Sequence, residues 1–169
     1  MAKAKTSTFY IRETFDVDAT AQTTAMDLSL YVDPVNKQGL LVRSVDFIWH
    51  DKATLLPANF TGECQSAVQV HDSVLGGLAQ LDSQHQVASA SITGYSGTAS
   101  SDREDFFPDR LGMTKGEGRI IVNDTLEIAT DANGTVPNDF ACCVVLECQV
   151  IKLSEKDYIA LALQSVADA

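Results

Sequence analysis

Apolar side chains recur at every second position over most of the chain, the spacing of strands with one dry face and one wet face. Between Thr8 and Val17, Phe9, Ile11, Phe15 and Val17 share one parity, interrupted by Glu13, and Tyr10, Arg12, Thr14 and Asp16 take the other. A second strand is expected over Met26 to Val32, where Leu28 and Leu30 alternate with Asp27, Ser29 and Tyr31. The segment from Asp33-Pro34 to Gln38-Gly39 has turn chemistry, since Pro fixes φ and Asn and Gly tolerate positive φ. From Leu40 to His50 the parity switches: Leu40 and Val42 precede Val45, Phe47 and Trp49, which predicts a bulge near Arg43-Ser44 or a strand buried on both faces. Lys52 to Gly62 contains Pro57 and no alternation, and is expected to be a loop.

Strands are also expected over Glu63 to His71 and Gln86 to Thr93. Between them Val74, Leu78 and Leu81 have the spacing of a short helix that Gly76-Gly77 would break. Arg119 to Ala129 predicts a single alternating strand, followed by an Asn133-Gly134 hairpin turn. Phe140 to Leu153 predicts the longest strand, apolar on both faces at first and so central in its sheet. The period then changes. Ser154 to Asp157 resembles a capping box, and Ile159, Ala162, Leu163 and Val166 fall at i, i+3, i+4 and i+7. This stripe must close one end of the β core or pack on a neighbouring copy. The expected class is mainly β: an antiparallel sandwich, as an eight-stranded jelly roll, with a short C-terminal helix. Residues 1–7 are expected to be a flexible arm, 8–153 the sandwich and 154–169 the helix and tail.

Composition narrows the function classes. Twelve Lys and Arg against 23 Asp and Glu leave a net charge of −11, which argues against a general nucleic-acid surface. A hydrophobic content of 45% with 21% charged residues excludes the polar signature of disorder. Four cysteines, Cys64, Cys142, Cys143 and Cys148, are too few for a disulfide-dense scaffold, so a reducing compartment is expected. The start of the chain has Lys3 and Lys5 but no apolar run behind them, so no secretory signal is expected. Three N-x-T acceptor patterns, at Asn59, Asn123 and Asn133, are then by-products of a Thr-rich β protein.

Catalytic patterns fail on context. Asp16-Val-Asp18-Ala-Thr20 has the D-x-D-x-T order of a phosphotransferase nucleophile, but that chemistry needs a parallel sheet with βαβ units, and none follows. His50, His71 and His85 lack metal-ligand spacing, and the adjacent Cys142 and Cys143 must point to opposite faces of a strand. No G-x-S-x-G elbow is present, and Gly112 to Arg119 leads into a strand where a phosphate cradle would need a helix. No cofactor or metal and no enzymatic activity are expected.

The long connection from Gly94 to Gly118 is more informative. Loops beyond about 12–15 residues are commonly functional or interface-forming, and Phe106 and Phe107, flanked by charges such as Arg103 and Arg110, either anchor an interface or tuck the loop back onto its own sandwich. With Leu111 and Met113 in the same loop, and Ile159 and Leu163 on the helix, they are the candidate oligomer contacts.

In strand number and chain size, Thr8 to Leu153 resembles the single jelly-roll major capsid proteins of icosahedral viruses. That resemblance implies a shell subunit made in a host cytoplasm and located in the virion, with copies of itself and other virion proteins as partners. The chain lacks the Arg-rich arm of many such proteins, leaving Lys3 and Lys5 as the residues offered to a genome or membrane. The alternatives are a β-sandwich carbohydrate-binding module, which needs an exposed aromatic platform, and a cupin-like enzyme, which needs converging histidines and a carboxylate.

Overall fold

The computed structural model describes residues 3–95, 101–105 and 118–166. Its strands are β1 (Lys3–Ala4), β2 (Phe9–Asp16), β3 (Gln22–Asp27), β4 (Gln38–Asp51), β5 (Cys64–His71), β6 (Gln86–Gly94), β7 (Ser101–Asp105), β8 (Arg119–Ile121), β9 (Thr125–Gly134) and β10 (Phe140–Lys152), followed by helix α1 (Glu155–Val166). The first sheet runs β10-β4-β8, with β1 and β2 both on the free side of β10, and the second runs β3-β9-β5-β6-β7. Every pairing is antiparallel.

The pairings nest. β2 meets β10, β3 meets β9, β4 meets β8 and β5 meets β6, as in one long hairpin rolled into two facing sheets. This is the wiring of an eight-stranded jelly roll. The expected eight are joined by β1 and β7, so residues 3–4 of the supposed arm lie on Lys152 and Ile151, and part of the long 94–118 connection is itself a strand against β6.

The parity switch in β4 is a bulge. Ser44 faces Glu147 but Val42 faces Cys148, leaving Arg43 as the extra residue. Leu40 and Val42 on one side of it, and Val45 and Phe47 on the other, thereby all reach the interior. They meet Phe15, Met26, Val68, Val70, Leu126, Ile128, Val144 and Leu146 in a continuous apolar core between the sheets.

Three sequence expectations need correction. The second strand begins earlier and ends at Asp27, because the Asp27 carboxylate accepts the Ser29 N–H and Tyr31 and Val32 both donate to the Leu28 carbonyl, curling the chain into a turn. Leu28 and Val32 are buried, but Leu30 is exposed. Arg119 to Ala129 is two strands in different sheets, with Val122 to Asp124 as the crossing. An unbroken parity in sequence concealed a change of partner in space. Asn133-Gly134 is the end of β9, with the connection to β10 lying beyond it.

Helix α1 starts with the Ser154 hydroxyl accepting the Asp157 N–H. It docks on the outer face of the first sheet, where Tyr158, Leu161 and Ala162 cover Leu41, Val122, Ile151 and Leu153. Of the predicted stripe Ala162 joins this contact, whereas Ile159 and Leu163 do not and stay 50% and 66% exposed.

Gly134 has φ 86°, and a Cβ there would stand 2.2 Å from the Glu63 carbonyl oxygen. Gly134→Ala is expected to cost about 1–3 kcal/mol, read as a lower urea midpoint at unchanged m; an unchanged midpoint would contradict the strained close approach.

Candidate functional site

The connection from β5 to β6, residues 72–85, folds back over the outer face of the second sheet. Gln69 and His71 on β5, Ser89 on β6 and Glu127 and Ala129 on β9 share that face, and all five are buried. A carboxylate, an amide and an imidazole under a loop must find partners, because an unpaired buried polar group costs about 1–3 kcal/mol. They do so through the backbone of the strap. The Glu127 carboxylate accepts the N–H groups of Leu75 (2.9 Å) and Gly76 (3.1 Å), and the Gln69 amide exchanges two hydrogen bonds with the backbone of Ala79. His71 lies between them, with Nδ1 3.3 Å from Glu127 Oε1 and Nε2 3.0 Å from Gln69 Oε1.

The two ends of the strap are tied together as well. His85 Nδ1 lies 3.0 Å from Asp72 Oδ1, Arg119 donates to Asp72 and to the Gln84 carbonyl, and Asn123 donates to the Asp72 carbonyl. Asp72, Gln84, His85 and Arg119, with Leu161 and Gln164 of α1, line a cleft of about 220 Å³. His85 Nε2 is buried and has no hydrogen-bond partner among the described residues. Chemically this is a clasp: the Glu127 carboxylate and the Gln69 amide hold backbone N–H groups of the strap, and Asp72 pairs with His85 and Arg119 at its ends.

The strap also exposes aliphatic side chains, among polar ones such as Gln80, Asp82 and Gln84. Val74 is 73% exposed, Leu81 is 49% exposed, and Leu78 also faces out. No helix forms over 73–81. The strap thus buries polar groups beneath and shows aliphatic ones to water. On α1, Ile159 and Leu163 are exposed as well.

Of the other candidates, Arg103 lies on β7 at the register position opposite Ile92. Phe106, Phe107, Arg110, Leu111 and Met113 lie outside the described residues. Asp16 and Asp18 sit at the end of β2, where Asp16 pairs with Lys52 and Asp18 accepts from Gln22. All four cysteines are free thiols, and burial pushes the Cys148 thiol up to about 12, far from a reactive thiolate. Among the described residues no group of three or more His, Cys, Asp or Glu converges as a metal site. Val74, Leu78 and Leu81 have helical spacing in the sequence but lie exposed on a non-helical strap, and nothing in the sequence announces the clasp beneath them. Gln69 and His71 have the parity of a solvent face, and no local pattern announces that a distant loop covers it. No protein-family model matches the chain, and comparison with curated proteins finds no match.

Burial pushes the His71 ring below its ordinary value of 6.5, with Glu127 pulling the other way. The unfolded chain then binds this proton more tightly than the folded one, so stability present above pH 6.5 is lost as pH falls through the lowered value. Thermal unfolding from about pH 7 to about pH 5 is expected to show a falling Tm, with a shallower fall in His71→Gln. Equal slopes in the two proteins would remove His71 from the effect.

Proposed function

We propose that this chain is the subunit of a self-assembling protein shell, in the manner of the jelly-roll coat proteins of icosahedral viruses, and that its working location is the virion. The observation that carries this reading is the placement of exposed aliphatic side chains: Val74, Leu78 and Leu81 on the strap and Ile159 and Leu163 on α1. Neither element belongs to the eight-stranded core, and both keep apolar residues in water that a neighbouring copy would cover. Exposed apolar patches of this sort mark contact surfaces.

The filling of the sandwich also favours a structural role over a cupin-like one. The core between the sheets is built from Val, Leu, Ile, Phe, Met, Ala and Cys, with the small polar Ser66 and Thr130 on the same parity, whereas His71 lies on the outer face of the second sheet and His85 at the end of the strap. A metal or substrate at the centre would meet hydrocarbon. The partners are copies of the same chain. Lys3 is exposed at the start of the arm and is the residue offered to an underlying genome or membrane, because Lys5 Nζ is bonded to Gln38.

The net charge of −11 per copy opposes association, so salt is expected to promote it by screening. Light scattering and negative-stain microscopy of the purified protein across a salt series are expected to show particles that grow in number with ionic strength. The double variant Ile159→Asp with Leu163→Asp is expected to abolish them while moving stability by no more than about 0.5 kcal/mol, as befits exposed positions. A wild-type protein that stays monomeric at all salt concentrations overturns the shell reading.

A further inference from the structure

A sheet edge is a row of unpaired N–H and C=O groups, and soluble proteins guard such rows with charge, proline, bulges or brevity. Three of the four edges in this fold are guarded. β2 carries Arg12, Glu13 and Asp16; β7 reads Ser-Asp-Arg-Glu-Asp; β8 has only three residues. The fourth, β3, is not. Its residues Gln22 to Met26 are uncharged and its one charge, Asp27, stands at its end; its register with β9 runs through six pairs without a bulge, and it contains no proline. Among the described residues, no strand other than β9 pairs with it, and no turn or loop backbone bonds to it.

We propose that β3 is an assembly edge, at which two copies of the chain pair β3 to β3 antiparallel about a two-fold axis and fuse their second sheets into one. This specifies one contact of the shell reading and rests on that reading for the expectation of larger particles. The occupant follows from the edge itself. Identical antiparallel strands satisfy one another's backbone groups reciprocally, which is the self-complementarity a two-fold interface requires.

Register follows from parity. Paired residues must point to the same face, so the sum of their numbers is even. Centring the ladder on Thr24 pairs Thr24 with Thr24 of the other copy, Thr23 with Ala25, and Gln22 with Met26. Both Asp27 carboxylates, each already accepting its own Ser29 N–H, then fall outside the five paired residues. That arrangement places no charge in the ladder of a chain carrying −11 overall. Thr23 and Ala25, exposed in the single copy, become cross-strand neighbours.

The test is sedimentation velocity at rising micromolar concentration, combined with cysteine cross-linking. Wild type is expected to form a dimer or multiples of it. The double variant Thr23→Lys with Ala25→Lys sets lysines opposite one another and is expected to weaken dimerisation by ~10-fold or more, because like charges directly opposite repel. An unchanged Tm in that variant shows that the fold is intact. Thr24→Cys stands opposite itself and is expected to give a covalent dimer on mild oxidation, whereas Thr23→Cys, opposite Ala25, is not, with wild type controlling for the native thiols. A monomer throughout, or dimers indifferent to the lysines with no Thr24→Cys link, overturns the proposal. Particles that persist in the lysine variant remove this contact and leave the shell reading standing. Dimers joined at Thr24 that never grow larger uphold the contact and remove the shell.

Discussion

The ladder between β4 and β10 is the constraint on which the rest of the molecule depends. It is the longest pairing in the fold, from Phe140 opposite Asp51 to Lys152 opposite Gln38. On its inner side it contributes Leu40, Val42, Val45, Phe47, Val144 and Leu146 to the core, and on its outer side Leu41 and Ile151 to the seat of α1. A ladder this long, held in strict alternation, would turn the residues on one side of Arg43 the wrong way. The bulge resolves this by spending one residue without a partner. Every other first-sheet strand then takes its place from the pair: β1 and β2 along one edge of β10, β8 along the far edge of β4.

Much of this was legible in the sequence, because a period of two over one buried face is a direct imprint of strand geometry. β2, β4, β5, β6 and β10 appear close to where alternation puts them, and the parity switch at Arg43 marked the bulge. Alternation is blind to which partner a strand has. Ile120, Val122, Leu126 and Ile128 share a parity, yet Ile120 and Val122 belong to the seat of α1 while Leu126 and Ile128 belong to the central core. The helix was legible as a helix, but its docking face was not. Tyr158 and Leu161 won over Ile159 and Leu163 because the sheet end offers Tyr158 both an apolar bed and the Val122 carbonyl as acceptor.

The strap inverts the ordinary distribution of side chains. A loop over a sheet usually turns its aliphatic residues down and its polar backbone out, whereas here the backbone of Leu75, Gly76 and Ala79 is turned down and satisfied by Glu127 and Gln69. Hydrogen bonds in a dry layer are directional and contribute little net stability unless complete, so the strap gains a fixed shape more than strength. That suits an element proposed to present Val74 and Leu81 to a neighbouring copy.

The nested wiring also has a consequence for how the chain comes into being. β2 leaves the ribosome long before its partner β10, with Phe9 opposite Cys148 and Asp16 opposite Ala141. β3 likewise waits for β9, whereas β5, β6 and β7, each paired with the next, find one another promptly. Synthesis at about 5–20 residues per second keeps the early strands without their mates for many seconds, so the sandwich closes only when the last strand emerges. β10 thus acts as the lid of the fold, and a chain cut short before it keeps β2 and β4 without their partner.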